Sequence, residues 1–471
     1  GLGFIGTKII EKLSQEGPAL AIGDVDGDGN EDVYVGAPSG SAGTLYLHQG
    51  KGKLNIKNQS VFTEDAFYED TAAALFDADG DGDLDLMVAS GGNEVGKKEQ
   101  LKPRLYLNDG KGNFNKAPEE LPSAFQNMSV VAPYDFDGDG DMDVFIGSRS
   151  VVGVYGVDPK QLFLENTGNG VFVDATERLA YDTKDAGMVT DALWLDIDED
   201  GKADLITVSE WGAPLVYKNS GRRLSLKETS LSDKTGWWNT IAAVDIDNDG
   251  DMDLVLGNEG ENLHYLPSEQ RPMSMYINDF DNNGTIEQIT TMHKNGKDYP
   301  LHQKKEITAQ MSSLKKQNLK ASDYANRYID EIFTEESLQN AIKKSVKYAQ
   351  SMIAVNDGKG NFSLKPLPYQ TQLSCVCDIV ATDINKDGLA DLIMAGNNFE
   401  FKPQYSQLDA SFGNVLLNQG DASYAWQNYD KSGFFVKGEV KHLATFKDKN
   451  GTTYLIASVN DQKPKTFVLN E

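Results

Sequence analysis

Short apolar runs recur along the chain, and each follows an acidic turn. The runs are rich in valine, leucine and isoleucine and span only two or three residues. Runs of this length and composition predict buried strands rather than helices. They lie at residues 33–35, 86–88, 144–146, 205–206, 254–256 and 392–394.

A second pattern follows most of these runs. Residues 105–114 read LYLNDGKGNF and residues 355–362 read VNDGKGNF, so in both an apolar strand leads into a glycine-rich turn and a phenylalanine. Asn, Asp and Gly at such a turn are typical of a β-hairpin. Each unit of the chain is therefore expected to supply several neighbouring antiparallel strands.

The acidic turns share the pattern D-x-D-x-D-G-x-x-D, from which two turns depart, one through Asn283 and Glu287 and the other through Asn385. Four of the six intervals between successive turns are 49 to 61 residues, which suits a four-stranded propeller blade, and the other two are 34 and 104 residues. The turns begin at Asp24, Asp77, Asp135, Asp196, Asp245, Asp279 and Asp383.

An eighth unit at residues 441–470 keeps the strand pattern but has lost the acids from its turn, where the sequence reads KDKN at 447–450. Its strands, together with residues 1–10, are expected to form the blade that closes the ring. The sequence thus predicts an all-β fold: a single β-propeller domain over residues 1–471 with eight four-stranded blades. Seven blades is the alternative, because the 34-residue interval is short for a blade.

Apolar residues between 287 and 353 follow a helical period instead of a strand period, which predicts a helical insertion within the propeller. Two roles are considered for it: a packed decoration over the edge of one blade, and a surface for a partner. The residues of this stripe are Ile307, Met311, Leu314, Tyr328, Ile329, Ile332, Phe333, Leu338 and Ile342.

The acidic turns have the chemistry of calcium loops. Calcium takes 6 to 8 oxygen ligands, which carboxylates at positions 1, 3 and 5, the carbonyl of position 7 and an acid at position 9 would supply. Position 6 is glycine in all seven turns, which permits the required sharp bend. An EF-hand is disfavoured because position 12, where it needs glutamate, is apolar in most loops, as at Val35, Val88 and Ile146.

The predicted cofactor is therefore Ca²⁺, with five to seven ions. Asn283 and Asn385 replace carboxylates and are expected to weaken their two loops. By loop, the candidate ligands are Asp24, Asp26, Asp28, Asn30 and Asp32; Asp77, Asp79, Asp81, Asp83 and Asp85; Asp135, Asp137, Asp139, Asp141 and Asp143; Asp196, Asp198, Asp200, Lys202 and Asp204; Asp245, Asp247, Asp249, Asp251 and Asp253; Asp279, Asp281, Asn283, Thr285 and Glu287; and Asp383, Asn385, Asp387, Leu389 and Asp391.

The overall charge fits this interpretation. The formal net charge of −28 would be halved by seven divalent ions, and it argues against nucleic acid or an anionic membrane as a partner. The chain contains no run of 18 apolar residues, so we expect no membrane insertion within it. A monomer is expected.

The repeats resemble the FG-GAP and VCBS repeat families, with the tripeptide Gly36-Ala37-Pro38 after the first loop, and are similar to the propeller of integrin α-subunits. Trp237-Trp238-Asn239 and residues 401–405 (FKPQY) resemble bacterial surface proteins related to cartilage acidic protein, which often carry an ASPIC/UnbV domain. The resemblance implies an exported or surface-attached protein.

The function expected from these features is a non-catalytic ligand-binding or adhesion module with a glycan or protein partner at a propeller mouth. Candidate contacts are the aromatic residues Trp211, Trp237, Trp238 and Tyr405. The five histidines show no zinc-type spacing, and no nucleophile elbow or phosphate loop occurs. The alternatives are a polysaccharide-active enzyme, such as a calcium-dependent lyase, and a purely architectural domain.

Overall fold

The computed structural model describes residues 17–92, 98–317, 320–399 and 407–469. Within them the chain forms eight sheets with antiparallel strand pairing, and the helices are short, so the all-β prediction is confirmed. Seven of the sheets are blades of a propeller, which we number in chain order.

Blades 1 to 4 follow one another without interruption, and in each the strands lie in sequence order from the ring axis outward. A short strand, β17 (Gly236–Trp237), pairs with β14 at the end of blade 4. The strands are β1 (Leu20–Gly23), β2 (Asp32–Val35), β3 (Thr44–His48) and β4 (Leu54–Lys57); β5 (Asp70–Phe76), β6 (Asp85–Ser90), β7 (Arg104–Asn108) and β8 (Phe114–Lys116); β9 (Asn127–Tyr134), β10 (Asp143–Ser150), β11 (Leu162–Asn166) and β12 (Phe172–Asp174); and β13 (Met188–Leu195), β14 (Asp204–Gly212), β15 (Leu215–Asn219) and β16 (Leu224–Lys227).

Blade 5 is split in sequence by an inserted sheet, whose strand order is β22-β21-β20-β23. Blade 5 opens with β18 (Thr240–Val244) and β19 (Asp253–Gly257), the insertion contains β20 (Met273–Asn278), β21 (Glu287–Lys294), β22 (Lys297–Pro300) and β23 (Ile342–Val346), and the blade resumes with β24 (Met352–Asn356) and β25 (Phe362–Pro366).

Blades 6 and 7 complete the ring, the last with three described strands. Their strands are β26 (Asp378–Thr382), β27 (Asp391–Ala395), β28 (Asn414–Asn418) and β29 (Tyr424–Gln427), then β30 (Val440–Lys447), β31 (Thr453–Val459) and β32 (Lys465–Leu469). The helices are α1 (Ser60–Glu64), α2 (Thr176–Leu179), α3 (Lys304–Gln310), α4 (Leu314–Gln317), α5 (Ala321–Tyr324), α6 (Glu335–Gln339) and α7 (Tyr429–Ser432), with 3-10 turns at Lys98–Leu101, Tyr181–Asp185, Ile329–Glu331 and Tyr369–Leu373.

The ring closes with seven blades. The first strands of successive blades lie side by side, and β30 of blade 7 returns to β1 of blade 1. A separate apolar core fills each of the seven interfaces between neighbouring blades, including the one in which Phe446 and Ile456 of blade 7 pack near Val33 of blade 1. The count of seven, the alternative from sequence, therefore replaces the preferred count of eight.

The unit that begins at Asp279 is the one that is not a blade. Its turn joins β20 to β21 in the inserted sheet, so the 34-residue interval separates a blade from an insertion rather than two blades. The predicted fourth strand of the closing blade, residues 1–10, lies outside the described residues.

The insertion is longer and less helical than predicted for residues 287–353. It extends from the end of β19 at Gly257 to the start of β24 at Met352, and strands occupy both ends of the predicted helical region. The apolar stripe at Ile307, Met311 and Leu314 packs against one side of the sheet, as its period indicates. Ile342 instead lies in β23 and is 46% exposed.

The second strand of each blade is buried along nearly its whole length, as in β6 and β19. A blade is covered on both faces by its neighbours, so a strand at its middle contacts apolar side chains on either side. This explains why the second strands appear in the sequence as continuous apolar runs instead of alternating ones.

The two faces of the ring differ in what they carry. The turns between first and second strands lie on one face, which we call the loop face. The opposite face, where the first strands begin, we call the mouth face. The insertion joins the second and third strands of blade 5, so it leaves the ring on the mouth face.

Neighbouring blades are also joined by an asparagine at the end of each third strand in blades 2 to 6. Its side-chain amide donates a hydrogen bond of 2.8–3.1 Å to the position-2 carbonyl of the acidic turn in the preceding blade. The five pairs are Asn108 with Val25, Asn166 with Ala78, Asn219 with Phe136, Asn356 with Ile197, and Asn418 with Ile246.

We predict that Asn108→Ala lowers the free energy of unfolding by about 1–3 kcal/mol, because it leaves the buried Val25 carbonyl without this donor. Denaturant unfolding measures the change. Asn115→Ala, at an exposed position of β8 in the same blade, is the matched control and is expected to have little effect. Equal losses in the two variants would contradict the assigned role of Asn108.

Candidate functional site

The acidic turns fold through a repeated set of hydrogen bonds between their own atoms. In all seven, the position-1 carboxylate accepts a bond of 2.7–3.2 Å from the position-6 amide. In all seven, the side-chain oxygen of position 5 accepts a bond of 2.7–3.1 Å from the position-7 amide. The spacing of the acids therefore produces the same loop each time.

The bend at position 6 requires glycine, as the sequence indicates. Its φ is positive in every loop, for example +85° at Gly29 and +98° at Gly140. Position 4 also has a positive φ in all seven loops, although it is Glu199, Asn248, Asn282 or Lys386 in four of them. The sequence does not reveal this second bend, because the residue type at position 4 varies.

The position-9 acid connects each loop to the body of its blade. One oxygen accepts the position-2 amide at 2.8–3.2 Å in six loops. In the six blades that carry a loop, the other oxygen accepts the amide of the last third-strand residue at 2.7–2.9 Å. All seven acids are buried; Asp32, Asp204, Asp253 and Asp391 are 0% exposed.

Burial makes these carboxylates hard to ionise without a nearby cation. It raises the pKa of Asp32 and Asp143 to about 7 and that of Asp85 to about 6, against the opposing effect of two backbone hydrogen bonds in each case. Burial likewise raises the pKa of Glu287 to about 7. The loops thus hold negative charge in an environment that disfavours it.

Oxygens of three acids converge in most loops. In the loops that begin at Asp24, Asp77, Asp135 and Asp245, ligand atoms from positions 1, 3 and 9 lie within 4.8 Å of one another. In the loop at Asp245, the Oδ1 atoms of Asp245, Asp247 and Asp251 are buried and have no hydrogen-bond partner. Converging carboxylate oxygens, two of which are unpartnered at Asp245 and Asp247, fit a hard cation such as calcium.

The two loops with asparagine differ in ways that matter for a cation. In the loop at Asp383, the Asn385 amide donates to an oxygen of Asp387 at 2.8 Å, so this oxygen is engaged within the loop. In the loop at Asp279, the Asn283 side-chain oxygen accepts the Thr285 amide, as the position-5 carboxylate does in other loops. Asp281 Oδ1 in this loop is buried and has no hydrogen-bond partner. Both retain the loop fold with one carboxylate fewer.

The loop at Asp196 contains a cation of the chain itself. Lys218, on the third strand of blade 4, bonds to Asp198 and places its Nζ 2.9 Å from Asp200 Oδ2 and 3.4 Å from Asp204. In this loop the three converging oxygens come from positions 1, 3 and 5. The sequence pattern of the loop does not reveal Lys218, which is distant along the chain.

The degenerate turn of blade 7 folds without its acids. Asp448 accepts the backbone amides of Asn450 and Thr452 at 2.9 and 3.0 Å. The Asn30 side chain of the first loop accepts the Lys449 amide at 3.1 Å, so the last blade is tied to the first on the loop face.

Comparison with known proteins identifies the repeats. Residues 24–88, 77–146 and 196–256 match a family model described as an FG-GAP-like repeat. Each match begins at position 1 of a loop and ends in the second strand of the next blade. These three segments are therefore similar to FG-GAP-like repeats.

Part of the chain is also similar to a curated protein. A segment of 152 residues is 30% identical to integrin alpha pat-2 of Caenorhabditis briggsae, and covers 28% of this chain but only 12% of the integrin. Among solved structures, this chain is similar to the V. cholerae biofilm matrix protein Bap1, with 12% identity, a TM-score of 0.41 and coverage of 98% of this chain and 89% of that one. It is also similar to YCF48 bound to D1 peptide, with 8% identity, a TM-score of 0.44 and coverage of 100% and 99%.

On the mouth face, polar side chains from several blades surround the ring axis. Hydroxyl and amide groups predominate, namely those of Thr71, Asn127, Ser129, Thr190, Asn239 and Asn397. The same small cavity is lined by Arg149, Glu259, Lys441 and His442. Some of these groups already bond within the protein: Ser129 donates to the Val189 carbonyl at 2.6 Å and Thr190 to the Trp238 carbonyl at 2.7 Å, and their hydroxyl oxygens can still accept.

The charged groups at this mouth are held by neighbours. Arg149 pairs with Glu210 at 3.2 Å, and Glu210 also accepts a hydrogen bond from the Tyr155 hydroxyl. Lys441 Nζ lies 3.6 Å from Glu439. None of these residues was singled out from sequence, because the mouth is assembled from positions far apart in the chain.

The three tryptophans predicted as ligand contacts are buried. Trp211, Trp237 and Trp238 are 5%, 7% and 0% exposed. Trp211 and Trp237 pack against the inserted sheet beside Met273, and Trp238 packs between blades 4 and 5. The prediction that these three contact a ligand is therefore wrong, and Tyr405 lies outside the described residues.

In the described part of the chain, the helices are all too short or too polar to cross a lipid bilayer.

First strands are linked around the axis by carboxylates. Asp191 accepts the Ile241 amide at 3.0 Å and the Thr240 hydroxyl at 2.9 Å, both from the next blade. Burial raises the pKa of Asp191 to about 6, the hydrogen bond from Ile241 opposes the rise, and the carboxylate of Asp378 adds to it. Asp378 makes the equivalent link to Leu443 at 2.8 Å.

We predict that Asp191→Asn becomes more stable relative to the unmodified chain as the pH rises from about 4 to about 7. The folded pKa of Asp191 lies above its unfolded value, so its contribution to stability is present at low pH and lost as pH rises through about 6. Denaturant unfolding of both proteins across this range, at constant calcium, measures the effect. A difference in unfolding free energy that stays constant with pH would contradict it.

Proposed function

We propose that this chain is a calcium-stabilised extracellular propeller that acts as a non-catalytic ligand-binding or adhesion module, with a glycan or protein partner at its mouth face. The FG-GAP repeats and the partial match to an integrin α-subunit support a module of this class. The match covers a small part of the integrin, so its partners are not transferred to this chain.

The observation that carries the calcium proposal is the convergence of buried acids in the loops. At the loop of Asp245, ligand oxygens of Asp245, Asp247 and Asp253 converge, and Oδ1 of Asp245 and of Asp247 is buried without a hydrogen-bond partner. Burial raises the pKa of Asp247 and Asp253, so it opposes their charge. A divalent cation would satisfy these oxygens and balance the charge together. Calcium suits the all-oxygen ligand set, since magnesium holds several waters and demands a stricter octahedron.

The loops are proposed to differ in affinity. Those at Asp24, Asp77, Asp135 and Asp245 have four carboxylates at positions 1, 3, 5 and 9 and would bind most tightly. Those at Asp279 and Asp383 have three and would bind less tightly. The ion would be structural, because side chains and backbone of the loop supply its ligands, and its binding would stabilise the fold by linkage.

A ligand is proposed to bind at the mouth face. The hydroxyl and amide groups around the axis suit a hydroxyl-rich ligand such as a sugar, which needs many hydrogen-bonding partners in a small space. Placing structural ions on one face and the ligand on the other leaves the mouth free of loops that are committed to metal.

We predict that chelation lowers the melting temperature and that, in calcium, Asp137→Ala lowers it more than Asn385→Ala. Losing one saturated site removes about 2.7 kcal/mol when free calcium is about 100 times the dissociation constant. Differential scanning calorimetry with and without chelator measures both effects.

The difference between the two variants is expected to shrink in chelator, where neither loop holds an ion. A melting temperature that is unchanged by chelation would contradict the proposal.

For the ligand, we predict that the protein is retained on a glycan array. Two variants of the mouth face, Asn239→Ala and His442→Ala, are expected to lose this binding. Asn55→Ala, an exposed position on the outer strand of blade 1, is the matched control and should bind normally. Any polysaccharide that binds the protein is then incubated with it and assayed for new reducing ends and for unsaturated products. Product release would contradict a non-catalytic role, and binding that survives both mouth variants would contradict the site.

A further inference from the structure

Lys218 lies inside the acidic loop of blade 4, at the position where its carboxylates converge. Its Nζ contacts acids from positions 3, 5 and 9: it bonds to Asp198 and lies 2.9 Å from Asp200 and 3.4 Å from Asp204. The ammonium thus contacts three of the four carboxylates that would otherwise surround a calcium ion.

Hydrogen bonding in this loop is adapted to the lysine. In the other six loops an oxygen of the position-9 acid accepts the position-2 amide, whereas Asp204 Oδ2 accepts from Lys218. The position-1 acid, Asp196, keeps the usual bond from the position-6 amide at 2.7 Å. The loop therefore keeps its fold around an ammonium group.

A lysine at this place is specific to blade 4. Lys218 is the second-to-last residue of the third strand and precedes Asn219, which joins blade 4 to blade 3. The equivalent residues of blades 1, 2, 3, 5 and 6 are Leu47, Leu107, Glu165, Val355 and Leu417. Four are apolar and one is acidic, so in those blades the third strand supplies no cation to the loop.

Two lysines of the chain offset half of the charge of the four loop carboxylates. Lys227 on the fourth strand places its Nζ 3.2 Å from Asp198 Oδ2, so two lysines reach the acids. Their combined charge equals that of one calcium ion. An ammonium has three N–H donors and a flexible stem, which matches three carboxylate acceptors around one point.

We propose that the Lys218 ammonium occupies the ion position of blade 4, so that this loop is held without calcium while the other loops bind it. The inference rests on the proposed calcium binding of those loops. It makes blade 4 the metal-independent blade among those with an acidic loop. Blade 4 also seats the insertion through Trp211 and Trp237, so this contact would persist when calcium is removed.

Native mass spectrometry of the full chain at saturating calcium tests the inference by counting ions. Lys218→Met removes the ammonium but keeps an unbranched side chain, and is expected to add one calcium ion per chain. Leu107→Lys places a lysine at the equivalent position of blade 2 and is expected to remove one. These reciprocal changes distinguish a cation at this position from a general effect on folding.

A second pair of variants tests the unaltered loop and keeps the inference testable if Lys218→Met fails to fold. Asp198→Asn is expected to leave the calcium number unchanged, while Asp137→Asn, at the same position of blade 3, is expected to lower it by one. Loss of an ion in Asp198→Asn, or an unchanged number in a folded Lys218→Met, would overturn the inference.

The outcomes separate the two proposals. If the unmodified chain binds calcium but Asp198→Asn loses an ion, the inference fails and the proposed function stands. If no form of the chain binds calcium, the calcium proposal fails and the inference fails with it.

Discussion

The buried acid at the start of the second strand in blades 1 to 6 makes the interaction on which the structure depends. In blades 2 to 6 it accepts the backbone amide of an asparagine whose side chain holds the preceding blade. A single carboxylate such as Asp85 thereby fixes its loop, its third strand and its neighbour. Burying this carboxylate removes a negative charge from water, which costs free energy. A cation in the loop would offset that cost.

This arrangement couples the loops around the ring. A change at one loop reaches the next blade through the asparagine, and apolar position-2 residues such as Ile197 and Ile246 anchor the loops in the cores between blades. Loop order and blade packing are therefore parts of one structure. The closing pair of blades uses direct contacts between Asn30 and the turn of blade 7 instead.

Much of the ring follows from local sequence. Second strands are recognisable because burial on both faces makes them continuously apolar, and the loops are recognisable because their fold needs acids and glycine at fixed spacing. The same turn also serves a hairpin outside the ring, which is why the Asp279 loop was assigned to a blade. Local sequence cannot distinguish a loop in a blade from the same loop in the inserted sheet, because it does not show whether a neighbouring blade packs beside it.

Features that depend on distant neighbours could not be predicted. Trp211 and Trp237 are large aromatics in connecting segments, and only the inserted sheet that covers them shows that they belong to a core. Lys218 looks like an ordinary strand residue until the third strand is seen beside the loop of its own blade. The mouth likewise combines residues from several blades that no motif connects.

The central claim, that the converging acids are cation sites, is tested most directly by anomalous diffraction from crystals grown in calcium. The account predicts anomalous peaks enclosed by the acids of the loops at Asp24, Asp77, Asp135 and Asp245, and the Lys218 ammonium in place of a peak in the loop at Asp196. Maps in which those four loops show only water would contradict it.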